Sequence, residues 1–184
     1  AVYDRLEKKN VYEDAIPADE AAQLLETLEG KGLYNEIAAR NTIWFEKAVA
    51  DTMAAQPVPE HHIWYMRDRC YTAVEKPSEY FRTHGVRVEK MNLYGIPEAL
   101  QQPLYDAVTA TGFIRHTRPG AGANLEFSHI TLDKLKAVDA VLSRLGVSFE
   151  ETMALGDSSS DAAILRASAL GVAMGNAPEN IKAC

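Results

Sequence analysis

The chain has 184 residues, is 47% apolar and carries a formal net charge of -7. That balance describes a soluble globular chain and argues against a non-specific nucleic-acid or acidic-lipid binder, both of which need a basic footprint. Two cysteines, Cys70 and Cys184, are too few for a disulfide framework, and no apolar run is long enough to span a membrane.

In chain order, residues 1–14 (AVYDRLEKKNVYED) read as a short hairpin, with apolar AVY, a charged turn and VYE. AIPADEAAQLLETLEGKG follows as an amphipathic helix, opened by Pro17, with Ala21, Leu24, Leu25 and Leu28 on one stripe and Gly30 and Gly32 at its end. YNEIAA and NTIWFEKAVA form an expected strand pair, the second turning helical. Pro57 and Pro59 mark a loop. KPSEYFRTHG reads as a helix and VRVEKMNLYGI as a half-buried strand. IPEALQQPLYDAVTATG is another helix, which Pro103 is expected to kink or split. FIRHTRPGAGANLEFSHI supplies two strands around a Gly-rich turn.

From there the pattern changes. TLDKLKAVDAVLSRLG predicts a helix with Thr131 as N-cap and Gly146 at its end. VSFEE is a loop, TMALG a buried strand, DAAILRASAL a helix, GVAMG a second buried strand and PENIKA a helix start. Uniformly apolar strands alternating with helices imply a parallel α/β sheet, so the architecture is expected to change near residues 120–125.

The stretch MALGDSSSDAAIL places Asp157 just past a strand and Asp161 four residues on. Open α/β sheets bind ligands beyond the carboxyl ends of their strands, and Mg²⁺ takes carboxylate oxygens while keeping several waters. By itself the motif equally describes a polar turn in which Ser160 or Asp161 caps a helix. Lys134 falls in the first turn of its helix, where a cation opposes the dipole; a phosphate contact gives that placement a purpose, and a solvated surface lysine is the plain alternative.

The run from DKLKAVDAVL through LGDSSSDAAIL to GVAMGNA resembles the C-terminal part of haloacid dehalogenase-like hydrolases of the Cof type, with Lys-bearing helix, GDxxND-like metal motif and GVAMGNA in order. The resemblance implies an α/β fold: residues 1–14 and 123–184 as an incomplete Rossmann-like core of parallel strands, and 15–122 as an inserted α+β cap. It implies a Mg²⁺-dependent phosphatase working through an aspartyl-phosphate on a small phosphorylated metabolite such as a sugar phosphate. Lys134 would hold the phosphoryl group, Asp157 and Asp161 the metal, and Ser160 and Asn176 would lie at the phosphate. Ser160 stands where the family usually has Asn, and Leu135 where a Gly commonly follows the Lys. Arg67, Arg69, Arg87, Arg115 and Arg118 are cap residues that could meet an anion; Trp44, Phe45, Trp64, Tyr65 and Tyr71 read as cap core; the adjacent His61 and His62 read as a surface loop.

The family's reaction needs an Asp-x-Asp pair as nucleophile and general acid-base, and no two aspartates here are spaced by two. The chain, which opens without Met, therefore reads as N-terminally truncated, inactive and cytoplasmic, with strands left exposed and open to self-association. Two other classes compete. A metal-dependent adhesion module is suggested by the DxSxS-like DSSSD, although Asp161 breaks that pattern. A non-catalytic module binding metal, phosphate or protein is the other.

Overall fold

The computed structural model describes residues 1–53, 71–117 and 124–184. The Pro57/Pro59 loop, His61, His62, Trp64, Tyr65, Arg67, Arg69, Cys70 and Arg118 lie outside them. The described residues form two compact units, one of residues 1–14 with 132–184 and one of residues 15–131.

In the first unit, β1 (Val2–Asp4) and β2 (Lys9–Tyr12) make the expected antiparallel hairpin. Helix α5 (Lys134–Leu145), a 3₁₀ turn (Phe149–Glu151), β9 (Met153–Gly156), α6 (Ala162–Ala167), β10 (Leu170–Ala173) and α7 (Glu179–Lys182) follow. Strands β9 and β10 pair in parallel, Met153 with Leu170 through Gly156 with Ala173. Arg144 near the end of α5 bonds Asp4 and Glu7 of the hairpin, which joins the two chain segments of this unit.

Three sequence expectations change here. The N-cap of α5 is Asp133, whose Oδ1 accepts from Leu135 N at 2.8 Å, whereas the Thr131 hydroxyl is engaged with His129 Nδ1 at 2.6 Å. VSFEE is a 3₁₀ turn closed by a Ser148/Glu151 capping box. Nor are the two parallel strands buried. One face packs Ala154 and Ala173 on Leu165, Ala177 and Ile181 from the helices. On the other, Met153, Leu155 and Leu170 are 61%, 60% and 54% exposed, because no other element of this unit covers it.

The second unit holds α1 (Ala18–Glu26), β3 (Tyr34–Ala39), β4 (Thr42–Glu46), α2 (Lys47–Thr52), β5 (Tyr71–Val74), α3 (Pro77–His84), β6 (Lys90–Tyr94), α4 (Glu98–Ala110), β7 (Ile114–Thr117) and β8 (Leu125–His129). Its strands make one sheet in the order β5-β4-β3-β6-β8-β7, antiparallel except for β4 with β5. The change of architecture expected near 120–125 comes later, since β8 pairs with β6 and β7 inside this sheet.

Alternation along the strands sorts two cores. Ile37, Trp44, Met91, Leu93 and Phe127 face α1, α3 and α4 with Leu24, Leu25, Phe81, Leu104 and Val108. Tyr34 and Phe45 face the other way, onto Val49 and Met53, with Tyr71 alongside. Glu29, in the turn that follows α1, fastens that turn to α3 by accepting from Ser78 N and Ser78 Oγ. Pro103 does not split its helix, which runs unbroken over Glu98–Ala110.

The close approach of β10 to α6 depends on Gly171. A Cβ there would lie 2.3 Å from the Leu165 carbonyl oxygen, a backbone atom that cannot swing aside. Gly171→Ala is therefore expected to cost the first unit roughly 1–3 kcal/mol, read by urea denaturation. Gly175→Ala, with nothing within 4 Å, should shift the midpoint little.

Candidate functional site

The site lies entirely in the first unit, beyond the carboxyl end of β9. Strand register builds it. Gly156 ends β9, and Met174 N donates to Gly156 O at 2.9 Å, so the chain leaving β10 runs beside the chain leaving β9. A Cβ on Gly156 would sit 2.5 Å from Asp161 Cβ, so the turn after the strand can close only over glycine.

Asp161 is the organiser of that turn. Its Oδ2 accepts from Ser158 Oγ at 2.7 Å, Ser158 N at 3.1 Å and Asp157 N at 3.3 Å. Its Oδ1 accepts from Lys134 Nζ at 2.8 Å, which ties the turn to the start of α5. Burial works to raise the Asp161 carboxyl, whose side chain is only 19% exposed. The bonds from Lys134 and Ser158, with the lysine charge, outweigh it and hold the pKa at about 2.

Asp157 is arranged differently. It is exposed, its Oδ2 accepts from Asn176 Nδ2 at 3.1 Å, and its Oδ1 has no hydrogen-bond partner among the described residues. Ser160 Oγ lies 2.8 Å from Ser158 Oγ.

The structure thus brings Lys134, Asp157, Ser160, Asp161 and Asn176 into one connected polar cluster around Asp161, with Ser158 linking Asp161 to Ser160. Sequence reasoning passed over Ser158. The signal was available in Ser-x-x-Asp, the spacing at which an acid reaches back to the backbone N–H of a preceding serine. Asp161, expected as a second metal ligand, has both oxygens taken by protein donors, and the helix after it, α6, is only six residues long. Among the described residues no group of three or more His, Cys, Asp or Glu gathers to hold a metal. The donor set therefore fits a hard divalent cation bound through one carboxylate oxygen, Asp157 Oδ1, with other ligands from water or a phosphate.

The family model for haloacid dehalogenase-like hydrolases matches residues 1–184. The chain belongs to that family. Phosphoglycolate phosphatase of Methanopyrus kandleri is 26% identical over 180 residues, covering 86% of this chain and 76% of that one. A subclass IIB sugar phosphatase of the family superposes with a TM-score of 0.61 at 24% identity, over 96% of this chain and 62% of that one. A haloacid dehalogenase-like hydrolase from Bacteroides thetaiotaomicron gives 0.69 at 22% identity, over 97% and 63%. At such identities the two structures attest the α/β fold. The chain spans about three-fifths of their length.

Outside this cluster, the remaining candidate residues that lie among the described ones have structural partners. In the second unit Arg87 donates to Ala15 O at 3.3 Å and Arg115 to Ile130 O at 2.9 Å. Trp44 and Phe45 are buried in the two cores, as their reading as core residues requires. No helix among the described residues is long and apolar enough to cross a membrane.

The Asp161 carboxyl sets an acid limit on this unit. Its folded pKa of about 2 lies below the ordinary 3.8, so its contribution is complete above about pH 4 and is lost as pH falls through about 2. A difference of that size is worth about 2 kcal/mol. Asp161→Asn is expected to remove that much stability at neutral pH. It should also flatten the dependence between about pH 4 and pH 2, checked by chemical denaturation of both proteins across that range.

Proposed function

We propose that this chain supplies the cation- and phosphate-positioning groups of a Mg²⁺-dependent phosphatase acting on a small phosphorylated metabolite such as a sugar phosphate. The observation that carries this reading is the pairing, beyond one strand end, of a carboxylate oxygen without a partner among the described residues, Asp157 Oδ1, with an ammonium group in the same cluster, Lys134. Family membership and the named activities of the relatives support it. In this reading residues 1–14 with 132–184 belong to the catalytic core, and residues 15–131 serve as the cap.

Each group has a role its surroundings permit. Asp157 holds the cation through Oδ1. Mg²⁺, when bound, supplies charge neutralisation for the phosphate oxygens. Lys134 spends one of its three N–H donors on Asp161, and its side chain is 52% exposed, so the others can meet a phosphoryl oxygen. Ser160 offers a hydroxyl beside them. In a chain with net charge -7, this lysine provides the local positive potential an anionic substrate needs.

The sequence contains no Asp-x-Asp pair, so these 184 residues lack the attacking carboxylate of the aspartyl-phosphate route. The uncovered apolar face of β9 and β10 supports self-association of the isolated chain.

The test is Mg²⁺-dependent hydrolysis of p-nitrophenyl phosphate by this chain, with Asp157→Asn beside it. The expected result is no turnover by either protein. Turnover that Asp157→Asn abolishes would show that another residue of this chain attacks phosphorus, and the proposed division of roles would fall.

A further inference from the structure

Asp157 is the one acid of the cluster with an oxygen left over, and what fixes that oxygen's direction is the side chain of Asn176. An ionised carboxylate only accepts hydrogen bonds, so the amide must turn its NH₂ toward Asp157; it does so at 3.1 Å, on Oδ2 alone. Backbone geometry, not chance proximity, brings the two together. Ala173 is paired with Gly156, Met174 N bonds Gly156 O, and Ala177 N bonds Met174 O at 2.9 Å. The last bond closes a turn over Met174–Ala177 with Asn176 inside it, anchored by the buried Ala177. Asn176 thereby stands on a fixed platform one strand away from the carboxylate it touches.

Resting on the cation reading above, we infer that Asn176 is a positioning residue for Asp157: by holding Oδ2 it selects one rotamer of the carboxylate and presents Oδ1 for monodentate coordination. This gives Asn176 a different task from contact with phosphate, and it separates the two acids. Asp161 is held by the turn and by Lys134, whereas Asp157 is held by the asparagine after β10. A partner that orients a metal ligand through its second oxygen typically changes metal affinity ten- to a hundredfold when removed, about tenfold here because Asp157 and Asn176 are both exposed.

The experiment uses the 184-residue chain in solution. Hα–Hβ couplings of Asp157 report its χ1 distribution, and Mn²⁺ added as a paramagnetic probe broadens amides near the bound ion. Wild type is expected to show a single Asp157 rotamer and broadening at Asp157 and Ser158. Asn176→Ala should average the couplings and raise the Mn²⁺ midpoint roughly tenfold. Asn180→Ala, an exposed amide on α7, should change neither. Unchanged Asp157 couplings in Asn176→Ala, or an unchanged midpoint, would overturn the inference. Wild type that shows no broadening at Asp157 would instead overturn the cation reading, with the couplings still deciding whether Asn176 orients the carboxylate.

Discussion

The carboxylate of Asp161 is the interaction on which the rest of the site depends. One oxygen gathers two backbone N–H groups and a serine hydroxyl at the end of β9, and the other holds the lysine that opens α5. A turn that leaves a parallel strand exposes several unpaired donors, and a half-buried acid satisfies them together. Gly156 makes that closure sterically possible, and Ser158 doubles the contact. Without Asp161 the strand would still form, but the residues beyond it would have no common anchor.

Two aspartates four residues apart thus have unlike chemistry for a simple reason. Asp161 is three-quarters or more covered and surrounded by donors, so it stays ionised and internally spent. Asp157 is exposed and bonded through one oxygen, so it keeps coordinating capacity. The number of protein donors around each carboxylate, more than the residue type, separates an acid spent on its own turn from one with an oxygen to spare.

Much of this was readable before any coordinates. Helical stripes such as Ala21, Leu24, Leu25 and Leu28, and the alternation over Lys90–Tyr94, report local burial and so appear directly in residue order. Asp157, Asp161, Lys134 and Asn176 were visible as a set through the order of three motifs. The partner of each was not. Whether Asp161 faces a metal or its own backbone depends on donors at Asp157, Ser158 and Lys134, two of them main-chain groups that carry no residue signature. Sheet order in the second unit was hidden for the same reason: β8 pairs with β6 across thirty-odd residues through backbone bonds that most side chains permit. Thr131 and Asp133 are both good caps, and only the hydroxyl bond to His129 shows why the first is not used.

The two units differ sharply in what they bury. In the first, the buried apolar side chains are Leu165, Ala177 and Ile181, while the second fills both faces of a six-stranded sheet. Free energy of opening follows the apolar surface hidden from water, so the chain should not melt as one cooperative block. The first unit, with the carboxylates and the lysine, will open at lower cost than the sheet of residues 15–131, and its amides will exchange with solvent sooner. A melting curve that follows Trp44 in the sheet would then describe a part of the molecule that holds none of the site, and could remain unchanged while the candidate residues had already come apart.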